Sequence, residues 1–136
     1  MNLSSKRQHV GSGTMWEKLA GYARAVRVGN RILVSGTTAT GPAGEVIGVG
    51  DPAAQTHYIL DKIETAVSQL GGTLNDIVRT RIYLKNIDDW EPVARAHGER
   101  FGNILPANTL VEAKLVGEHY LVEIEAEAIV SNNQEA

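Results

Sequence analysis

A chain of 136 residues with a formal charge of -3 can bury one core, but it is too short for a catalytic domain plus a separate binding domain. The acidic balance argues against a phosphate-binding surface, so nucleic acid is not the expected partner. The absence of cysteine removes disulfides, thiol nucleophiles and thiolate metal sites, and suits a reducing cytoplasm.

No apolar run is long enough to span a bilayer, and the N-terminal segment lacks a signal-peptide core. A cytoplasmic protein without a membrane partner is expected. One domain over 1–136 is expected, with its packed part from about Trp16 to Val130, because residues before about 14 and the tail from Ser131 bury little apolar surface.

In chain order, YARAVRV and RILVSG flank Gly29-Asn30, a pair suited to a tight turn, which predicts an antiparallel hairpin from Tyr22 to Gly36. GPAGEVIG offers a turn and a short strand through Val46 and Ile47. Asp51 caps a helix whose first turn takes Pro52. Ile59, Leu60, Ile63, Val67 and Leu70 fall on one face of it, and Gly71-Gly72 stops it near residue 70.

IVRTRIYL then alternates Val78, Thr80, Ile82 and Leu84 against Arg79, Arg81 and Tyr83, as in a half-buried strand. Asp88 or Asp89 caps a second helix with Trp90, Val93, Ala94, His97 and Phe101 on one side, ending near Gly102. Two strands close the chain. In the first, Asn108, Leu110 and Glu112 oppose Thr109, Val111 and Ala113. In the second, Tyr120, Val122, Ile124, Ala126 and Ala128 oppose Leu121, Glu123, Glu125, Glu127 and Ile129. One sheet face is thus apolar enough to receive both helices, giving a two-layer α+β domain. The other carries Tyr83, Leu110, Leu121 and Ile129 among charges and is a candidate subunit contact.

The ladder Glu123, Glu125, Glu127 is the first candidate for chemistry, since neighbouring carboxylates raise one another's pKa. Arg79 and Arg81 on an adjacent strand would instead make it a set of cross-strand ion pairs, each worth about 0.2–1 kcal/mol. The histidines His9, His57, His97 and His119 are scattered and no HExxH motif occurs, so no metal site is expected. Ser35-Gly36 lacks the surroundings of a nucleophile elbow, and the glycines of GVGDP form no nucleotide fingerprint, so no nucleotide cofactor is expected.

The segment LPANTLVEAKLVGEHYLVEIEAEAIV opens with Pro-Ala-Asn and closes with an acid on every second residue. Together with Tyr22, Ser35-Gly36 and the helix starting at Asp51-Pro52, it resembles the Rid/YjgF family, also described as the endoribonuclease L-PSP family. These are small trimeric proteins whose best-understood members hydrolyse imines and enamines. The resemblance implies a chorismate mutase-like fold, a mixed but mostly antiparallel sheet with two helices on one face. It also implies a homotrimer whose sheets form a central barrel with ligand clefts between subunits.

By the same resemblance Glu123 is the glutamate that orients or activates water, while Glu125 and Glu127 are structural. Tyr22, Ser35 and Gly36 match cleft positions. Asn108 stands where the deaminating members carry an arginine that grips the substrate carboxylate, a charged two-pronged match that an amide does not reproduce. Ala94 stands where many deaminases place an asparagine. Arg24 is a candidate stand-in anchor, weighed equally against an exposed strand arginine, and His97 is a candidate replacement for the lost polar contact.

Two readings follow. In one, a small imine, enamine or related C–N compound is hydrolysed at an intersubunit cleft without metal or redox cofactor, and 2-iminopropanoate is not the standard substrate. In the other, the cleft binds a small metabolite without turning it over. An endoribonuclease or translation-inhibitor role stands behind both, because the chain is acidic and lacks a basic stripe.

Overall fold

In a computed structural model the described residues are 6–131. Six strands form one sheet: β1 (Arg7–Val10), β2 (Ala25–Val28), β3 (Arg31–Thr38), β4 (Ile77–Leu84), β5 (Ala107–Glu112) and β6 (Val122–Ile129). Their order is β1-β2-β3-β6-β4-β5. All neighbours are antiparallel except β4 and β5, which run parallel. Helices α2 (Pro52–Gln69) and α3 (Trp90–Phe101) pack on one face, and a short α1 (Met15–Ala20) joins β1 to β2. This is the two-layer α+β architecture expected from the alternation of apolar residues.

The predicted hairpin forms around Gly29-Asn30, with Val28 paired to Arg31 and Gly29 at a φ of 62°. For α2, the Asp51 side chain accepts from the Ala54 N–H at 3.0 Å, and Pro52 opens the first turn. Its inner face buries Ile59, Leu60, Ile63 and Val67 completely, each contributing about 1.5–3 kcal/mol relative to exposure. The helix stops where Gly71 takes a φ of 90° and the Gly72 N–H returns to the Val67 carbonyl. On β6, Val122, Ile124, Ala126 and Ala128 face this core as expected.

Several elements depart from the sequence expectation. Arg7–Val10, placed ahead of the packed part beginning near Trp16, pairs with β2 as an edge strand. Its backbone ladder holds it although three of its four side chains are exposed. Residues 1–5 and 132–136 lie outside the described residues. Val46 makes only an isolated bridge to Thr40 rather than a strand.

Asp89 gives α3 no side-chain cap; Asn86 instead caps the preceding turn by accepting from the Asp88 N–H. Trp90 points outward at 54% exposure, while Val93, Ala96 and Phe101 are buried. An irregularity between Ile77 and Arg79 puts Ile77, not Val78, into the core.

The two final strands are not neighbours, because β4 lies between them. The face assignment of β5 is also inverted. Thr80 pairs with Asn108 and Ile82 with Leu110, so those two residues lie on the helix-facing side, while Thr109 and Val111 share the face of Arg81 and Tyr83. Leu110 and Leu121 pack against the core rather than standing among the outer charges.

Candidate active site

A cavity of about 260 Å³ opens where α1, the start of the first hairpin, α2 and β6 converge. Trp16, Ala20 and Val116 give it an apolar wall, and Tyr22, Arg24, Gly36, Thr38, Lys62 and Glu123 supply its polar groups. Trp16 is braced edge-on by Tyr120, with ring centroids 5.8 Å apart, and the Tyr120 hydroxyl lies 2.7 Å from Thr40 Oγ1.

The strand β3 is irregular beside the cavity. Its pairing with β6 shifts between Val34 and Thr37, which takes Ser35-Gly36 out of the regular ladder. Ser35 does not line the cavity. Its hydroxyl donates to the Ala23 carbonyl at 2.7 Å and its N–H to the Arg24 carbonyl at 2.9 Å, so it braces the segment that carries Arg24. Gly36 lies directly beneath the Glu123 carboxylate.

Arg24 is neither an exposed strand arginine nor a free anchor. It precedes β2 and is 4% exposed. Its Nε donates to Glu17 Oε2 at 3.2 Å, and one terminal nitrogen donates to the Gly36 carbonyl and to Thr37 Oγ1. The other reaches the Tyr22 hydroxyl at 3.4 Å, and the guanidinium carbon sits 5.5 Å from the Tyr22 ring centre. Glu17 is buried with it and accepts from the Ser12 N–H and hydroxyl and from Thr14. Burial alone would raise the Glu17 pKa, but the Ser12 hydrogen bonds, the Arg24 charge and the Thr14 hydroxyl bring it below the ordinary carboxylate value.

The acid ladder divides by its partners. Arg79 bonds Glu127 at 3.3 Å, Arg81 approaches Glu125 at 3.4 Å, and the Tyr83 hydroxyl donates to Glu125 at 2.7 Å. Glu123 accepts no hydrogen bond and joins no salt bridge among the described residues. Burial raises its pKa, Arg24 opposes this, and Glu125 adds to it. The sum lies above the ordinary value, the direction in which a carboxyl becomes a better proton acceptor.

Asn108 is placed elsewhere. Its side-chain amide donates to Thr80 Oγ1 at 2.9 Å, and Thr80 Oγ1 lies 2.8 Å from His97 Nε2. The chain therefore brings Tyr22, Arg24, Gly36 and Glu123 into one cavity, with Ser35 behind it. Asn108 joins His97 on the helix side of an edge strand instead. His97 stacks at a tilt on Phe101, and burial lowers its pKa.

Lys62 lines the cavity and was not anticipated. The signal was its helical spacing, three residues after the buried Ile59 and four before the buried Ala66, which sets a charge on the flank of the apolar stripe. Among the described residues no cluster of His, Asp or Glu is placed to hold a metal, and no helix is long and apolar enough to cross a membrane.

Sheet, helices and carboxylate-bearing cavity together define a small two-layer α+β protein with one acid poised at a largely apolar recess. Residues 14–130 match the family model described as endoribonuclease L-PSP. The chain is 44% identical to a Mycobacterium tuberculosis member of the YjgF/YER057c/UK114 family, whose crystal structure matches it with a TM-score of 0.83 over 92% of this chain and 100% of that one. It is 34% identical to the 3-aminoacrylate deaminase RutC of Acinetobacter baylyi, over 82% of this chain and 89% of that protein. An uncharacterised protein of Streptomyces coelicolor is 37% identical, over 89% of this chain and 90% of its own length. The chain belongs to the endoribonuclease L-PSP family, the Rid/YjgF family of the sequence resemblance.

Proposed function

We propose that this protein is a deaminase, a hydrolase acting on a small imine, enamine or related C–N compound, with Glu123 as the group that orients and activates water. The observation that carries the reading is the Glu123 carboxylate itself: unbonded among the described residues, raised in pKa by burial, and facing a recess with an apolar wall. Water held by Glu123 adds to the carbon of the imine form as the carboxylate takes one water proton and passes it to nitrogen; the carbinolamine hydroxyl then gives up the second proton, which reaches nitrogen as the carbonyl forms, the C–N bond breaks and ammonia leaves. The likeness to a 3-aminoacrylate deaminase supports the class of reaction. The formal charge of -3 gives no support to binding an RNA backbone.

The proposed assembly is a homotrimer in which the edge strand β5 of one copy, bearing Asn108, closes the cavity of the next. Exposed Leu33, Val111 and Ile129, interspersed with the ion-paired ladder, supply the outer sheet surface for that contact. Noncatalytic metabolite binding is the second reading. It is favoured by Asn108, whose amide is engaged by Thr80 where a carboxylate-gripping arginine would serve turnover.

The test is ammonia release from a panel of enamines and imines generated in place, with Glu123→Gln as comparison. Turnover lost in the variant with ligand binding retained supports the deaminase reading. Equal turnover in both proteins rejects it. Light scattering at working concentration should report three chains, and a stable monomer would remove the intersubunit cleft.

A further inference from the structure

Lys62 projects from α2 into the same cavity as Glu123. Its ammonium donates to the Thr40 carbonyl at 3.1 Å and reaches the Thr38 carbonyl at 3.4 Å. An ammonium has three N–H groups, so one is left for the cavity. Lys62 forms no salt bridge among the described residues, whereas the neighbouring Arg24 is neutralised by Glu17 and directs its terminal nitrogens to Gly36, Thr37 and Tyr22. The recess therefore holds one neutralised cation, one uncompensated cation and one unbonded carboxylate.

We propose that Lys62 is the acid-binding residue of this site, holding the carboxylate of a small anionic substrate whose hydrocarbon body lies on Trp16, Ala20 and Val116 and whose reacting carbon faces Glu123. This rests on the deaminase reading for the role of Glu123 and adds the residue that selects the substrate. The physical argument is one of compensation. Burial and the nearby Arg24 charge both disfavour the Lys62 ammonium, and Glu17 only partly offsets them. A ligand carboxylate at the free N–H restores the missing counter-charge through a charge-assisted hydrogen bond in a partly dry site.

The anchor thus comes from the chain that carries Glu123, not from the β5 position of Asn108. The distance between acid and reacting carbon is then set by the packing of α2 on the sheet. A monocarboxylate with a short apolar chain fits these walls, and hydrolysis of its imine leaves an oxo acid.

The experiment compares binding of 2-oxopentanoate and its neutral counterpart 2-pentanone by calorimetry or ligand-observed NMR. The proteins are wild type, Lys62→Gln, Lys62→Arg and the surface control Lys114→Gln. Lys62→Gln keeps a donor for the Thr40 carbonyl but removes the charge, and it should weaken the acid roughly tenfold or more while leaving the ketone unchanged. Lys62→Arg should retain the preference for the acid, and Lys114→Gln should match wild type.

No binding of the acid to wild type in the millimolar range overturns the proposal. So does wild-type affinity in a folded Lys62→Gln protein, or an equal loss for acid and ketone, which would mark Lys62 as a brace for the cavity wall. Glu123→Gln separates the two readings: if the Lys62 effect on acid binding holds while neither protein releases ammonia, the deaminase reading fails and the acid site stands.

Discussion

A Cβ added to Gly36 would sit 2.3 Å from Oε2 of Glu123, so the carboxylate occupies space that only glycine leaves open on β3. Gly36→Ala should therefore displace the acid rather than the strand, because the colliding atom is the far end of a flexible side chain. Turnover should fall at least about tenfold, as expected for a misplaced general base. The melting temperature should move little. A variant with full activity would show that Glu123 works from another rotamer.

Glu123 also has a signed effect on stability. Its folded-state pKa is raised above the ordinary 4.5, so the folded protein binds the proton more tightly than the unfolded chain. Ionising it costs stability, the cost is fully present above the folded pKa, and it is relieved as pH falls toward the unfolded value. Glu123→Gln should be as stable as wild type or slightly more so at neutral pH, and should flatten this part of the stability profile in urea titrations. The rate of any Glu123-dependent hydrolysis should rise with pH through the same raised pKa.

The Glu17–Arg24 pair should behave oppositely. Arg24→Met leaves a buried carboxylate without its cation, and loss of one member of a buried pair costs about 3–5 kcal/mol. The Glu17 pKa is depressed, so its contribution is present above the unfolded value and is lost as pH falls through the folded one. Acid unfolding of wild type should include this step, and the double variant Glu17→Gln, Arg24→Met should recover part of the loss. Equal stability of Arg24→Met and wild type would show that the pair contributes little.

Thr80 is fully buried between Asn108 and His97. Thr80→Val removes the partner of both, at a cost of about 1–3 kcal/mol for polar atoms left unsatisfied. In wild type, NMR titration should find His97 protonating only below its ordinary 6.5, because burial lowers its pKa. The associated stability is present above the unfolded value and is lost as pH falls through the folded one. A His97 that titrates at or above 6.5 would contradict this placement.

Where apolar and polar residues alternate with contrast, the sequence was legible. The hairpin around Gly29-Asn30, the buried stripe of α2 and the division of β6 into core and acid faces all follow from residue spacing. The strand β5 offered no such contrast: Ala107, Asn108, Thr109, Val111 and Glu112 are all exposed on an edge, so nothing in their polarity fixes which way each points. The strand β1 escaped for a related reason, since backbone bonds hold it without buried side chains. At the site, resemblance singled out Tyr22, Ser35, Gly36, Asn108 and Glu123; geometry gathers Tyr22, Gly36 and Glu123 at the cavity, leaves Ser35 behind it and sets Asn108 apart on β5. The saturation of Arg24 and the open charge of Lys62 depend on atoms from Glu17, Thr38 and Thr40, which no spacing rule brings into contact.

The strand that carries Glu123 is the last of the sheet in sequence and lies at its middle, hydrogen-bonded to β3 on one side and β4 on the other. A nascent chain that has emerged as far as β5 therefore holds two separate pieces, β1-β2-β3 and β4-β5, with an open gap between their edges. Both edges are ready to pair with a wrong partner until β6 arrives. Ribosome-bound intermediates should stay protease-sensitive until the final strand is free of the exit tunnel, and closing the sheet and installing the acid become a single event.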